Sequence, residues 1–145
     1  TGDQVDLVAD LLCSLLPPGP AYYPEGTLTD EPTETLVAEL IREAALEGVR
    51  DELPHSITVV IEEMGLRAGR AEDKPLLDVF ASMVVERDSQ KGILIGHRGQ
   101  RLKEVGSAAR RQISALLGTP VHLDLRIKVL KDWQRDPKHL NRLGF

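Results

Sequence analysis

Gln90-Lys91-Gly92-Ile93-Leu94-Ile95-Gly96-His97-Arg98-Gly99-Gln100-Arg101-Leu102 is the stretch on which the fold of this 145-residue chain turns. At its centre a glycine pair, spaced G-x-x-G, separates a short apolar segment from the start of a long helix. Downstream, Leu102, Val105, Ala109, Ile113 and Leu116 recur at steps of three and four, which is one face of a helix, and Gly118 ends it. With 12 glycines in the chain, one such spacing is expected by chance at near-average glycine usage. Its place directly before a helix N-terminus is what makes this one informative.

Outward from the loop, three segments alternate with a period of two. Ile57, Val59 and Ile61 interleave with Thr58, Val60 and Glu62, bounded by Pro54 and Gly65. Leu77, Val79, Ala81, Met83 and Val85 share one side of a second strand. Val121, Leu123, Leu125, Ile127 and Val129 alternate with His122, Asp124, Arg126 and Lys128 in a third. Such alternation buries one face of a sheet and wets the other. Before the strands, Leu36, Leu40 and Ala44 line up with Val37, Ile41 and Ala45 on a helix. Thr29 or Asp30 can cap it, Pro32 is expected in its first turn, and Gly48 and Pro54 limit it. The order is helix, strand, strand, short helix, long helix, strand. This predicts an α+β fold, a three-stranded sheet with helices packed on its one apolar face.

Two further helices flank this unit. Val5, Val8, Leu12 and Leu15 make one face of an N-terminal helix over Asp3 to Leu16. The Pro17-Pro18-Gly19-Pro20 run, followed by Tyr22, Tyr23 and Pro24, reads as an extended linker. A short tail helix is expected from Asp136-Pro137, with Leu140 and Leu143 facing inward.

The loop's chemistry follows from its residue types. Glycines remove the Cβ atoms that would hold a phosphodiester backbone away from the main chain. The helix N-terminus beyond them presents amides and the positive end of its dipole. His97 and Arg98 occupy the two most ligand-exposed positions, and Lys91 and Arg101 flank them. Arg98 is a permanent cation, whereas His97 is one only when protonated. A loop of this kind clamps the backbone of four nucleotides in KH modules. Ile93, Ile95 and Leu102 are expected to floor a groove beside it, with the second strand as the opposite wall. Aromatic residues are 3% of the chain and none lies near the loop, so an aliphatic groove, not aromatic stacking, is what bases would meet. The alternative is that the glycines only turn the chain and the isoleucines are core.

Charge is divided along the sequence. Residues 1–86 hold 5 Lys/Arg against 18 Asp/Glu, a net of −13, and residues 87–145 hold 13 against 5, a net of +8. A basic half points to a polyanion, although two solvated charged faces would give the same count. The single cysteine, Cys13, excludes an internal disulfide and fits a reducing, cytoplasmic setting. Val5 to Leu16 is broken by Asp6, Asp10 and Ser14 and lacks a basic lead, so it is not a signal peptide. No run approaches the roughly eighteen apolar residues of a membrane span.

Ile93 through Gly106 (Ile-Leu-Ile-Gly-His-Arg-Gly-Gln-Arg-Leu-Lys-Glu-Val-Gly) resembles the loop and helix of the KH domain in the Era family of ribosome-assembly GTPases. Tyr23-Pro24-Glu25 with Thr29-Asp30-Glu31-Pro32 resembles the family's linker and helix start. Leu53-Pro54-His55-Ser56 with Ile61-Glu62-Glu63-Met64 is similar to its first strand, and Lys131-Asp132-Trp133 with Arg142-Leu143-Gly144-Phe145 to its C-terminal tail. The family's loop usually carries a lysine where this chain has His97 and Arg98, which keeps one strong cation. The resemblance implies the type II order, α-β-β-α-α-β. It divides the chain into 1–28, the last helix of a GTPase domain plus a Pro-rich linker; 29–131, the RNA-binding domain; and 132–145, a tail helix.

The same resemblance implies single-stranded RNA as partner, at the 3′ end of 16S rRNA, during assembly of the small (30S) ribosomal subunit, with no DNA expected. It implies RNA contacts at Lys91, Ile93, Ile95, Gly96, His97, Arg98, Gly99, Arg101 and Leu102, and no catalytic or metal-ligating residue. GTP and Mg are implied only for the family's other domain, so no cofactor is expected in this chain. Neither G-x-x-x-x-G-K-[ST], D-x-x-G nor N-K-x-D occurs in it. A cytoplasmic location with peripheral inner-membrane contact also follows from the resemblance.

The remaining candidates point elsewhere. His55, His97, His122 and His139 are too scattered for a zinc site. Glu62 and Glu63 are expected on opposite faces of a strand, a poor acid/base pair. Trp133 is expected to anchor the tail rather than stack on a base. Lys128, Lys131, Arg135 and Lys138 either extend a phosphate surface or are simply solvated. A GTPase activity, and a protein adaptor using the acidic half, are the rival readings.

Overall fold

Alternating sequence becomes three strands: β1 (Ile57–Leu66), β2 (Leu77–Val85) and β3 (Val121–Val129). They form one sheet in the order β1-β2-β3, with β1 antiparallel and β3 parallel to β2. The computed structural model describes residues 3–20, 31–47, 57–131 and 133. The linker beyond Pro20, the caps Thr29 and Asp30, the Gly48–Ser56 segment, the tail helix, Arg135, Lys138 and His139 lie outside those residues. The antiparallel pair needs only a loop, which Arg67 closes by donating from Nε to Asp78 at 2.8 Å. The parallel pair needs a crossover, supplied by α3 (Asp88–Ile95) and α4 (Gln100–Leu117).

In register, Ile57, Val59 and Ile61 meet Val85, Met83 and Ala81, which meet Val129, Ile127 and Leu125. Against this face pack Val37, Ile41, Ala44 and Ala45 of α2 (Thr33–Leu46) and Val105, Ala109 and Ile113 of α4. Leu94, fully buried, ties α3 to the same core. The order α2-β1-β2-α3-α4-β3 is the one that the sequence pattern predicts.

Four local expectations need correction. Pro32 is the cap of α2 and not part of its first turn; its backbone is extended and its carbonyl accepts from the amides of Thr35 and Leu36. β1 runs through Gly65 to Leu66. It also carries a bulge between Ile61 and Glu63, which brings Glu63 into register with Phe80. Both Glu62 and Glu63 therefore belong to the outer face of the sheet, where Glu62 accepts from Ser82 Oγ at 2.8 Å. Finally, Leu116 is exposed and Leu117 packs on the core in its place. From Ile113, a step of four deviates by about 40° from the buried line and a step of three by about 60°.

Residues 1–30 form a separate compact unit. Its helix α1 (Val5–Leu15) has the predicted apolar residues, none of them buried.

Candidate nucleic-acid interface

The turn that positions the site begins at α3. Arg87 is extended ahead of that helix, and the buried Gln90 side chain reaches back, its Oε1 accepting from the amides of Glu86 and Arg87 at 3.0 Å each. With Leu94 sunk in the core, the helix is fixed at both ends, and its last bond runs from the Gly96 amide to Gly92 O at 2.9 Å. A single 3-10 turn, His97–Gly99, then leads directly into α4.

The two glycines of the turn serve different purposes. Gly96 has φ +69°, and a Cβ there would lie 2.5 Å from Arg101 Cβ and 3.1 Å from its amide nitrogen. Its bareness is required by the chain's own α4. Gly99 has φ +79° and nothing within 4 Å of a built Cβ. Its bareness faces open space, where another molecule can approach the main chain. Between them Arg98 takes a left-handed backbone, φ 50° and ψ 29°, a conformation that costs a non-glycine residue energy and turns its side chain outward. His97 and Arg98 are both exposed, and neither side chain has a partner among the described residues.

Gly99 opens into a groove of about 370 Å³, lined further by Leu102, Lys103, Gly106, Ser107, Arg110, Leu123 and Leu125. Its far wall is thus β3 and not β2. The sheet order explains the correction, because β2 is paired on both sides and only the edge strand β3 lies open beside α4. Of the predicted residues, the structure brings together Gly96, His97, Arg98, Gly99 and Leu102. Ile93, 43% exposed, and the half-buried Ile95 stay on α3, outside the groove's lining. Lys91 lines a different cavity, with Val60, Glu62, Ser82 and Lys128. Arg101 turns away from the groove, and its Nη2 donates to the carbonyls of Ala45, at 3.2 Å, and of Glu47.

Lys103, Gly106, Ser107 and Arg110 escaped the sequence reading. The signal was present: Gly99, Lys103, Gly106 and Arg110 are spaced by four, three and four, with Ser107 beside Gly106, a polar stripe on the flank of the apolar one. Neither Lys103 nor Arg110 has an ion-pair or hydrogen-bond partner among the described residues, and Arg98 continues this positive strip, with His97 beside it. The cations of the sheet are paired. Arg67 meets Asp78, Arg126 meets Asp124, and Lys128 meets Glu62. Donation from Lys128 and then Ser82 holds the Glu62 carboxyl below the usual range, and donation from Arg67 does the same for Asp78. Trp133 is buried, with 5% of its surface exposed, so it does not offer a ring face to a base. Among the described residues no cluster of three or more His, Cys, Asp or Glu side chains is placed to hold a metal, and no helix is long and apolar enough to cross a membrane.

Known proteins share this arrangement. A KH domain family model matches residues 52–134. GTPase Era of Nocardioides sp. (strain ATCC BAA-499 / JS614) is 67% identical over 145 residues, and that of Streptomyces coelicolor 71% identical over 142. The match takes in 100% and 98% of this chain but only 46% and 45% of those relatives, so the chain spans about half their length. Among solved structures, an Aquifex aeolicus Era variant bound to GDP.AlF4- superposes with a TM-score of 0.87. Era in complex with MgGDPNP and nucleotides 1506-1542 of 16S ribosomal RNA gives 0.85. Each is 37% identical, with 97% of this chain and 46% of the other covered.

Proposed function

This chain belongs to the KH domain family, and from that premise we propose that it binds single-stranded RNA through the Gly96–Gly99 turn and the groove between α4 and β3. One observation carries the reading. Two exposed side chains, His97 and Arg98, without partners among the described residues, stand on a turn whose next residue is bare and opens into a groove lined by Lys103 and Arg110. The phosphodiester backbone passes over Gly99, with Arg98, Lys103 and Arg110 as countercharges. From Gly99 to Arg110 is about 16 Å along α4, a length suited to the four nucleotides such a loop clamps. Bases lie on the aliphatic side chains of Leu102, Leu123 and Leu125. Ser107 and the outer edge of β3, which has no strand beside it among the described residues, offer hydrogen bonds to their edges.

The RNA is, in this proposal, the 3′ end of 16S rRNA, and the process small-subunit assembly in the cytoplasm. Supporting this, a matched Era structure is a complex with nucleotides 1506-1542 of that RNA. GTP hydrolysis with Mg belongs to the part of such proteins that these residues do not include. Peripheral membrane contact, if the longer protein makes it, is assigned to no residue here. The test is an anisotropy titration of the 145-residue chain with RNA of nucleotides 1506-1542, alongside a DNA duplex of equal length. Preferred binding to the RNA, weakening as salt rises, is expected. No binding, or equal binding to the duplex, overturns the proposal.

A further inference from the structure

We infer that Arg101 is a positioning residue, which sets the shape of the RNA-binding turn by locking it to the end of α2, and not a phosphate contact. The inference rests on the RNA-binding reading above. Helix α2 leaves its last carbonyls without intrahelical donors, as every helix does, and has no basic residue in its last turn. Arg101 supplies both needs from 54 and 56 residues away: one guanidinium nitrogen donates to the carbonyls of Glu47 and Ala45, and the positive charge complements the helix dipole. The same residue is what Gly96 rests on, since a Cβ at Gly96 would come within 2.5 Å of Arg101 Cβ. The first residue of the turn, the first turn of α4 and the last turn of α2 thus meet at one side chain. Both N–H donors of Nη2 are spent on these carbonyls, which holds the guanidinium at the end of α2. The groove's lining omits Arg101 while including its neighbours Leu102 and Lys103.

Arg101→Met keeps the stem and removes the donors. Its affinity for RNA of nucleotides 1506-1542 is expected to fall about tenfold, the size of one charge-assisted hydrogen bond. The slope of log affinity against log salt should stay parallel to that of the unsubstituted chain. In the RNA-free protein, the amide resonances of His97 and Arg98 should shift together with those of Ala45 and Glu47.

A slope shallower by about 0.7, the share of one phosphate on a single strand, with an unchanged RNA-free spectrum, would mean a direct contact and overturn the inference. So would unaltered affinity. Should Arg101→Met not fold, Gly96→Ala and Gly106→Ala carry the test without RNA. Pushing on Arg101 through Gly96 should shift Ala45 and Glu47, whereas Gly106→Ala, on the same helix with open space around it and no positive φ to strain, should not. Equal responses from the two variants overturn the inference. Because these spectra need no RNA, failure of the lock is distinguishable from failure of RNA binding itself.

Discussion

Beside the Gly96–Gly99 turn, His97, Arg98, Lys103 and Arg110 face outward with no partner among the described residues. On the outer face of the sheet, Arg67, Arg126 and Lys128 each meet a carboxylate. Both surfaces have cavities, and the sheet's is the larger, about 810 Å³ against about 370 Å³. The smaller one is the better polyanion site, because no carboxylate lines it, whereas Glu62 and Asp88 stand beside Lys91 and Lys128 in the larger. A phosphate arriving at Lys128 would first have to displace Glu62, while one arriving at Arg98 displaces only water. The lesson concerns net charge: the +8 of residues 87–145 counts Arg126 and Lys128 equally with Arg98 and Arg110, yet only the unpaired group is available.

The largest effect on RNA binding is expected at the turn. Replacing His97 and Arg98 together by Asp should weaken RNA binding at least about a hundredfold, since like charges then face the phosphates. Circular dichroism and thermal unfolding should be little changed, because neither side chain has a partner among the described residues and Asp tolerates a left-handed backbone better than most residues. Next in size, Lys103→Gln and Arg110→Gln should each cost about three- to tenfold and flatten the salt slope by about 0.7 per phosphate lost; salt-series titrations read both numbers. Lys91→Gln and Lys128→Gln should change affinity by less than about twofold, within the range of surface substitutions away from a site. If either matched Lys103→Gln, the division between the two surfaces would be wrong.

The smallest effect is on acid stability. Glu62 titrates below the usual carboxylate range because Lys128 and Ser82 donate to its charged form. Its contribution is fully present above the unfolded-state pKa and is lost as pH falls through the lowered folded value. Exposure and salt limit it to under about 1 kcal/mol. Urea unfolding as a function of pH should therefore show a slightly shallower acid decline for Glu62→Gln.

Much of this was legible in the chain because burial writes itself as period. The alternation from Val121 to Val129 and the steps through Val105, Ala109 and Ile113 named the core face before any coordinates. Strand order was not legible: β2 and β3 alternate alike, and nothing in a period of two says which is the edge, so the groove's wall was assigned to the wrong strand. The bulge at Glu62 was hidden because two consecutive glutamates look the same in either register. Arg101 has a bond that its sequence position does not disclose. A basic residue beside a phosphate-binding turn has the right charge for a contact, and only the location of α2's final carbonyls reveals its other occupation. Lys103 and Arg110 are legible, since their spacing from Gly99 is helical, on a flank of α4 that its apolar stripe does not mark.

Following every backbone amide while RNA of nucleotides 1506-1542 is added to the 145-residue chain separates the two surfaces. The largest shifts are predicted at His97 to Gly99, along Lys103 to Arg110 and at Leu123 and Leu125, with Glu62, Ser82 and Lys128 still. Largest shifts on those last three residues, with the turn unmoved, would contradict binding at the turn.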